Sequence, residues 1–231
     1  MLLLSIDTSG RQGSIALARA EEGHLPGDVE IIEIMPLVGG TFSAQLIPQI
    51  STLISSNGYD KDAIGGFAVV SGPGSFTGLR VGLAAVKALA EILIKPIAAV
   101  SMLEVCAVTS GIRGKVVAAL DAGRDDVYIG EYEISSTVPA EARLTDPERV
   151  MSRAEFLNRA EGWYVVTPDL AIAQAAQAVG AQMSAIAPTS AADVARIGWA
   201  KIRSGETVPP ERLEANYIRR TDAENIEKSG P

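Results

Sequence analysis

The chain has 231 residues, enough for one or two domains with a well-buried core. A single cysteine, Cys106, excludes a disulfide framework and a Cys-based zinc site, and a single histidine, His24, excludes any site that needs two imidazoles. With 20 Lys+Arg against 28 Asp+Glu, the net charge of −8 disfavours tight binding to nucleic acid by this chain alone.

The start, MLLLSIDTSG, has no basic segment and too short an apolar run for a signal peptide or anchor. The most apolar stretch, Val81 to Val108, is broken by Lys87, Glu91, Lys95, Pro96 and Glu104. The expectation is a cytoplasmic protein without membrane contact.

Leu2 to Ile6, ending in Asp7, and Ser14 to Ala18 form apolar runs around Thr8-Ser9-Gly10 and Gly13, which predicts a β-hairpin. Val29 to Met35 reads as a third strand. A helix follows over Ser43 to Ser56, with Ser43 as N-cap and Leu46, Ile47, Ile50, Leu53 and Ile54 on one face. Gly66 to Ser71 is a buried-type strand leading into the loop GPGSFTG. A helix from about Leu79 to Lys95 and a strand Ile97 to Val100 complete an α/β unit.

The second half starts in the same way. Val116 to Leu120, Asp121, a polar turn and Val127 to Ile134 repeat the first hairpin, with the aspartate 114 residues later. This implies two related domains, divided as 1–100 and 101–231. Next come a loop with Pro139 and Pro147, a helix near Ser152 to Ala160, a strand Trp163 to Val166, a helix Leu170 to Val179, a short strand and a helix Ala191 to Ser204. Pro209-Pro210 opens a charged tail that reads as a solvated arm.

Two regions could carry function. Asp7, Thr8 and Ser9, with Asp121 opposite, could hold hydrated magnesium and a phosphate, or the aspartate could simply close an Asx turn. Gly72, Gly74, Ser75, Thr77 and Gly78 could aim amides and a helix N-terminus at an anion, or the glycines could only permit a sharp turn against the sheet. The loop matches neither a Walker A loop nor a dinucleotide fingerprint.

The two helices form the second region. The polar side of the first carries no charge, and Arg80, Lys87, Glu91 and Lys95 leave the second only a narrow charged stripe. Such faces suit a protein interface or a helix sandwiched inside the fold. Leu46, Ile50, Leu53, Arg80, Leu83, Val86, Lys87 and Leu89 are the candidate interface residues. No metal set or catalytic group is expected: the serines lack a histidine partner, His24 sits in a Gly/Pro loop, and the apolar surroundings of Cys106 raise a thiol's pKa.

The strings LSIDTS, VVSGPGSFTGLRVGLAAVKALA, PIAAVSMLEVCA, LDAGRDDVY and NYIRRTDAE together resemble the TsaB (YeaZ-like) family over nearly the whole chain. That resemblance implies the fold shared by actin, sugar kinases and the Hsp70 ATPase domain, built from two ribonuclease H-like domains. It also implies a non-catalytic subunit of the bacterial machinery that adds threonylcarbamoyl to the adenosine following the anticodon in tRNAs reading codons that begin with A. The implied partners are the catalytic paralogue TsaD, as a heterodimer, and the ATPase TsaE, with a homodimer formed in isolation.

TsaD-type subunits carry two metal-binding histidines on a helix that here reads TFSAQLIPQI, and Phe42 stands where many relatives have histidine. No cofactor is expected of the isolated chain, with ATP and magnesium confined to the complex. The competing readings are an independent small-molecule kinase or ATPase of the same fold, and a peptidase acting on TsaD.

Overall fold

The computed structural model describes residues 1–20, 29–137 and 140–218; His24, Pro139 and the tail beyond residue 218 lie outside the described residues. The chain builds two five-stranded sheets. The first contains β1 (Leu2–Asp7), β2 (Gly13–Ala20), β3 (Val29–Leu37), β4 (Ile64–Gly72) and β5 (Ile97–Ser101), in the order β3-β2-β1-β4-β5. β3, β2 and β1 run antiparallel, whereas β1, β4 and β5 run parallel.

The second sheet repeats that plan. Its strands are β6 (Gly114–Gly123), β7 (Asp126–Ile134), β8 (Ala142–Ser152), β9 (Tyr164–Thr167) and β10 (Gln182–Ala185), in the order β10-β9-β6-β7-β8. β6 pairs antiparallel with β7 and parallel with β9, as β1 does with β2 and β4. The duplication expected from one pair of hairpins therefore extends to strand order and direction in both halves, the ribonuclease H-like arrangement.

β1 is buried at every position, as a central strand covered on both faces must be. α1 (Phe42–Ser56) and α2 (Phe76–Leu93) follow β3 and β4 and pack against each other. Thr41, not the expected Ser43, precedes the first turn of α1, and its side chain caps no amide. α2 starts three residues earlier than its apolar pattern suggests, because Ser75 Oγ accepts from Gly78 N at 3.3 Å and closes the first turn.

The third helix of each half crosses to the other half. α3 (Met102–Thr109) lies against β6 and β7, while α6 (Ala191–Ser204) covers the first sheet. Ser5 Oγ donates to Ala191 O at 2.7 Å, and Ala191 N donates to Ser14 Oγ at 2.9 Å. Gly198 permits the closest approach: a Cβ there would lie 2.3 Å from Ala68 Cβ. Val194, Ala195, Ile197 and Trp199 consequently belong to the first core, although α6 follows the second sheet in the chain.

α4 (Arg153–Arg159) and α5 (Leu170–Ala178) complete the second half around Phe156 and Ile172. The stretch containing Pro147 is strand β8 rather than a loop. β8 is an edge strand, where a residue without an N–H is tolerated, and the register skips Pro147 and Glu148 between the Ile129–Arg149 and Glu131–Asp146 pairs. The segment after α6 is not a solvated arm within the described residues: Val208 N donates to Ile97 O at 2.9 Å and Leu213 is buried.

Candidate functional site

The two hairpin turns and the N-terminal end of α2 meet around a cleft of about 750 Å³. Ser9, Gly74, Ser75, Thr77 and Gly78 line it from the first half and Asp121 from the second, joined by Arg11 and Tyr128. Six of the residues expected at a shared cleft are thus brought together. Asp7, Thr8 and Gly72 are not among its lining residues, and all three are buried.

Asp7 lies inside the turn. Its Oδ1 accepts from Ser9 N at 2.9 Å and from Ser9 Oγ at 2.6 Å. Burial pushes its pKa above the ordinary aspartate value, with the two bonds from Ser9 opposing that shift. Asp121 makes the matching bond, accepting from Gly123 N at 3.0 Å, but remains exposed. Both aspartates therefore close Asx turns, and the repeat extends to a side-chain hydrogen bond.

The glycines of the loop are explained by close packing. A Cβ on Gly74 would lie 2.6 Å from Ser9 O, and one on Gly78 only 2.0 Å from Thr8 O. On Gly82 it would lie 2.4 Å from Thr8 Oγ1. Their lack of side chains lets α2 press onto the β1–β2 turn, where Ser75 N donates to Ser9 O at 2.7 Å and Thr8 Oγ1 donates to Gly78 O at 2.8 Å. Gly72 has φ +136°, and Asn216 O would sit 2.8 Å from any Cβ there.

Several groups that a magnesium–triphosphate would draw on are engaged within the chain, whereas the Asp121 carboxylate stays exposed in the cleft. The amides of Ser75 and Gly78 already have partners, and the Asp7 carboxylate is buried with both of its donors supplied by Ser9. Magnesium keeps much of its hydration shell and needs an accessible carboxylate, which Asp7 does not offer. Among the described residues no group of three His, Cys, Asp or Glu converges as a metal site. Cys106 is fully buried in α3, and burial pushes its thiol up to about 12.

The outward surface of α1 and α2 is the second region. Leu46, Ile50, Leu53, Leu83 and Val86 are buried in the chain's own core, and of these Ile50 also lines the groove between α1 and α2. An amphipathic helix turns its most regular apolar stripe inward, and the periodicity that marks these residues marks that inward face. Arg80 is exposed, Lys87 and Leu89 are half-buried, and Ile47, at 52% exposure, lies on the outside of α1.

Ser43, Ala44, Ile47, Pro48, Ser51, Thr52, Ser55 and Ser56 are the exposed residues of α1, without a single charge. Between α1 and α2 runs an apolar groove of about 320 Å³ lined by Ile47, Ile50, Ile54, Leu89 and Leu93. At the far end of α2, Ile92 is 72% exposed. No helix among the described residues is long and apolar enough to cross a membrane.

The model of the family described as TsaD: tRNA N6-adenosine threonylcarbamoyltransferase matches residues 36–201. The Bacillus subtilis (strain 168) protein named tRNA threonylcarbamoyladenosine biosynthesis protein TsaB is 34% identical over 134 residues, 58% of this chain and 56% of that protein. This match spans little more than half of that relative's length. The Escherichia coli (strain K12) protein of the same name is 27% identical over 231 residues, 95% of each chain. The solved structure of YeaZ from Pseudomonas aeruginosa superposes with a TM-score of 0.71 at 26% identity, covering 93% of this chain and 100% of that one. With the duplicated sheets and the crossed third helices, these matches show that the chain belongs to the TsaD family, as one of its TsaB (YeaZ-like) members.

Proposed function

We propose that this chain is a non-catalytic partner subunit in tRNA threonylcarbamoyladenosine biosynthesis, holding a TsaD-type subunit and recruiting a TsaE-type ATPase. The observation that carries this reading is the uncharged outer face of α1 beside the apolar groove between α1 and α2. A water-facing helix of 15 residues normally carries charge, whereas a helix that packs against another protein loses stability from every unpaired charge it buries. The naming of the relatives supplies the pathway, and the helix pair supplies a surface for a catalytic paralogue of the same fold.

The internal hydrogen bonds that engage the Ser75 and Gly78 amides and the Asp7 carboxylate fit a subunit that needs no nucleotide of its own. The net charge of −8 fits a subunit that leaves most tRNA contact to its partner. In isolation the same helix faces would pair in a homodimer, with the groove of one copy receiving Ile47 of the other.

Mixing the purified chain with a TsaD-type subunit on a sizing column tests the reading. Wild type is expected to co-elute with it and Ile47→Asp to elute alone. Unchanged co-elution of Ile47→Asp would place the interface elsewhere. Micromolar binding of ATP with magnesium by the isolated chain, measured by calorimetry, would favour the kinase reading instead.

A further inference from the structure

After α6 the described residues stay packed on the molecule as far as residue 218. The chain crosses the edge of the first sheet at the Val208–Ile97 bridge, makes one turn over Pro210–Arg212 against α2, and buries Leu213. Asn216 then lies at the junction of the two halves. Its backbone N donates to Ser71 O at 2.7 Å, at the end of β4. Its side-chain Nδ2 donates to Glu148 Oε2 at 2.8 Å, on β8 of the other sheet.

Glu148 is aimed there by the break in the β7–β8 register, which leaves Pro147 and Glu148 without strand partners. Its other oxygen, Oε1, accepts from Ser101 Oγ and from Tyr132 OH. One carboxylate thus gathers the end of β5, strand β7 and the C-terminal segment. Ser101 also caps α3, accepting from Leu103 N at 3.1 Å. The next residue, Tyr217, reaches the first turn of α2: its ring lies 5.2 Å from that of Phe76, and its hydroxyl accepts from Arg80 Nε at 2.9 Å. The Arg80 guanidinium sits 3.7 Å above the centre of the Phe76 ring.

We propose that residues 206–218 form a strap that couples the second sheet, through Glu148 and Asn216, to the first turn of α2, through Tyr217, Phe76 and Arg80. A change in the angle between the two sheets that separates Glu148 from Asn216 pulls on Asn216 and Tyr217 together, because they are adjacent in the chain. The strap then releases Ser71 and the aromatic–guanidinium stack, and the first turn of α2 loses its outer support. The carboxylate of one half thereby sets the order of a helix in the other. On the partner-subunit reading given above, on which this last step rests, that helix is part of the docking surface.

Hydrogen exchange on the full-length isolated chain tests the strap without any partner. Asn216→Ala and Tyr217→Ala remove one attachment each at exposed positions, and Glu148→Ala removes the carboxylate. All three are expected to speed exchange roughly three- to tenfold in peptides covering 213–218 and in peptides covering 76–81, the ratio one net hydrogen bond carries. Peptides from β1 should be unchanged. If Glu148→Ala also loosens β1, the two exposed variants decide the matter. Faster exchange at 213–218 with no change at 76–81, or no change at either, would overturn the coupling. Affinity for a TsaD-type subunit, measured separately, should fall by a similar factor. A wild-type chain that binds no such subunit would remove the docking role and leave the exchange result standing.

Discussion

Replacing Gly78 by alanine separates a packing role for the loop glycines from a ligand-binding one. Gly78 lies in the first turn of α2, and its added Cβ would meet Thr8 O at 2.0 Å, a backbone atom that no rotamer change can move. Relief requires α2 to lift from the β1–β2 turn by roughly 1 Å or more. That movement breaks two hydrogen bonds, Thr8 Oγ1 to Gly78 O at 2.8 Å and Ser75 N to Ser9 O at 2.7 Å. Each buried group left without a partner costs about 1–3 kcal/mol, while exchanging glycine for alanine inside a helix returns about 1 kcal/mol. The net destabilisation is about 3 kcal/mol, which for a chain of this size lowers the melting temperature by roughly 6–12 °C. Differential scanning fluorimetry measures it, with Ser51→Ala on the outer face of α1 as a near-neutral control. A Gly78→Ala protein that melts within about 1 °C of wild type would refute the packing argument.

Asp7 gives a prediction with a definite sign. Its folded pKa is raised by burial, so the folded state holds the proton more tightly and stability is lost as pH rises above the ordinary value of 3.8 toward the raised one. Asp7→Asn should therefore be at least as stable as wild type at pH 7 and flatten that dependence in urea unfolding; a loss of more than about 1 kcal/mol at pH 7 would contradict it. Cys106, with its thiol pushed up to about 12 and no exposed surface, should resist a disulfide reagent at pH 8 until the chain unfolds. Rapid labelling of the folded protein would show that α3 opens readily. Phe156→Ala empties the centre of the second core and should cost about 3–5 kcal/mol in chemical denaturation, and a cost below about 1 kcal/mol would show that the site collapses around the change.

The fold was legible wherever local patterns decide structure. Runs such as Leu2 to Ile6 and Val116 to Leu120 announced buried central strands, and the two Asp-centred turns announced the duplication because each closes the same hydrogen bond to the residue two places on. What lay beyond the pattern was tertiary. β8 contains Pro147 and alternating charges, which its position at a sheet edge tolerates but its composition does not reveal. The crossing of α6 onto the first sheet depends on Ser5, Ser14 and Gly198 meeting partners far away in sequence. At the candidate site the glycine string was visible, but only the distances to Thr8 and Ser9 distinguish a packed turn from an anion cradle. Helical periodicity marked Leu46 to Val86 correctly as apolar faces and said nothing of which side is free. The uncharged serines on the outer side of α1, with Ile47 at the exposed margin of its apolar stripe, were the better signal.

Reconstitution tests the central claim most directly. A synthase that makes threonylcarbamoyl-AMP from threonine, bicarbonate and ATP is combined with a TsaD-type subunit, a TsaE-type ATPase, tRNA and those substrates, and threonylcarbamoyladenosine is measured by mass spectrometry of the digested tRNA. Adding the wild-type chain is expected to switch modification on, and adding Ile47→Asp, shown beforehand to be folded, to leave it near background. Full modification in the absence of this chain would contradict its role as a required partner.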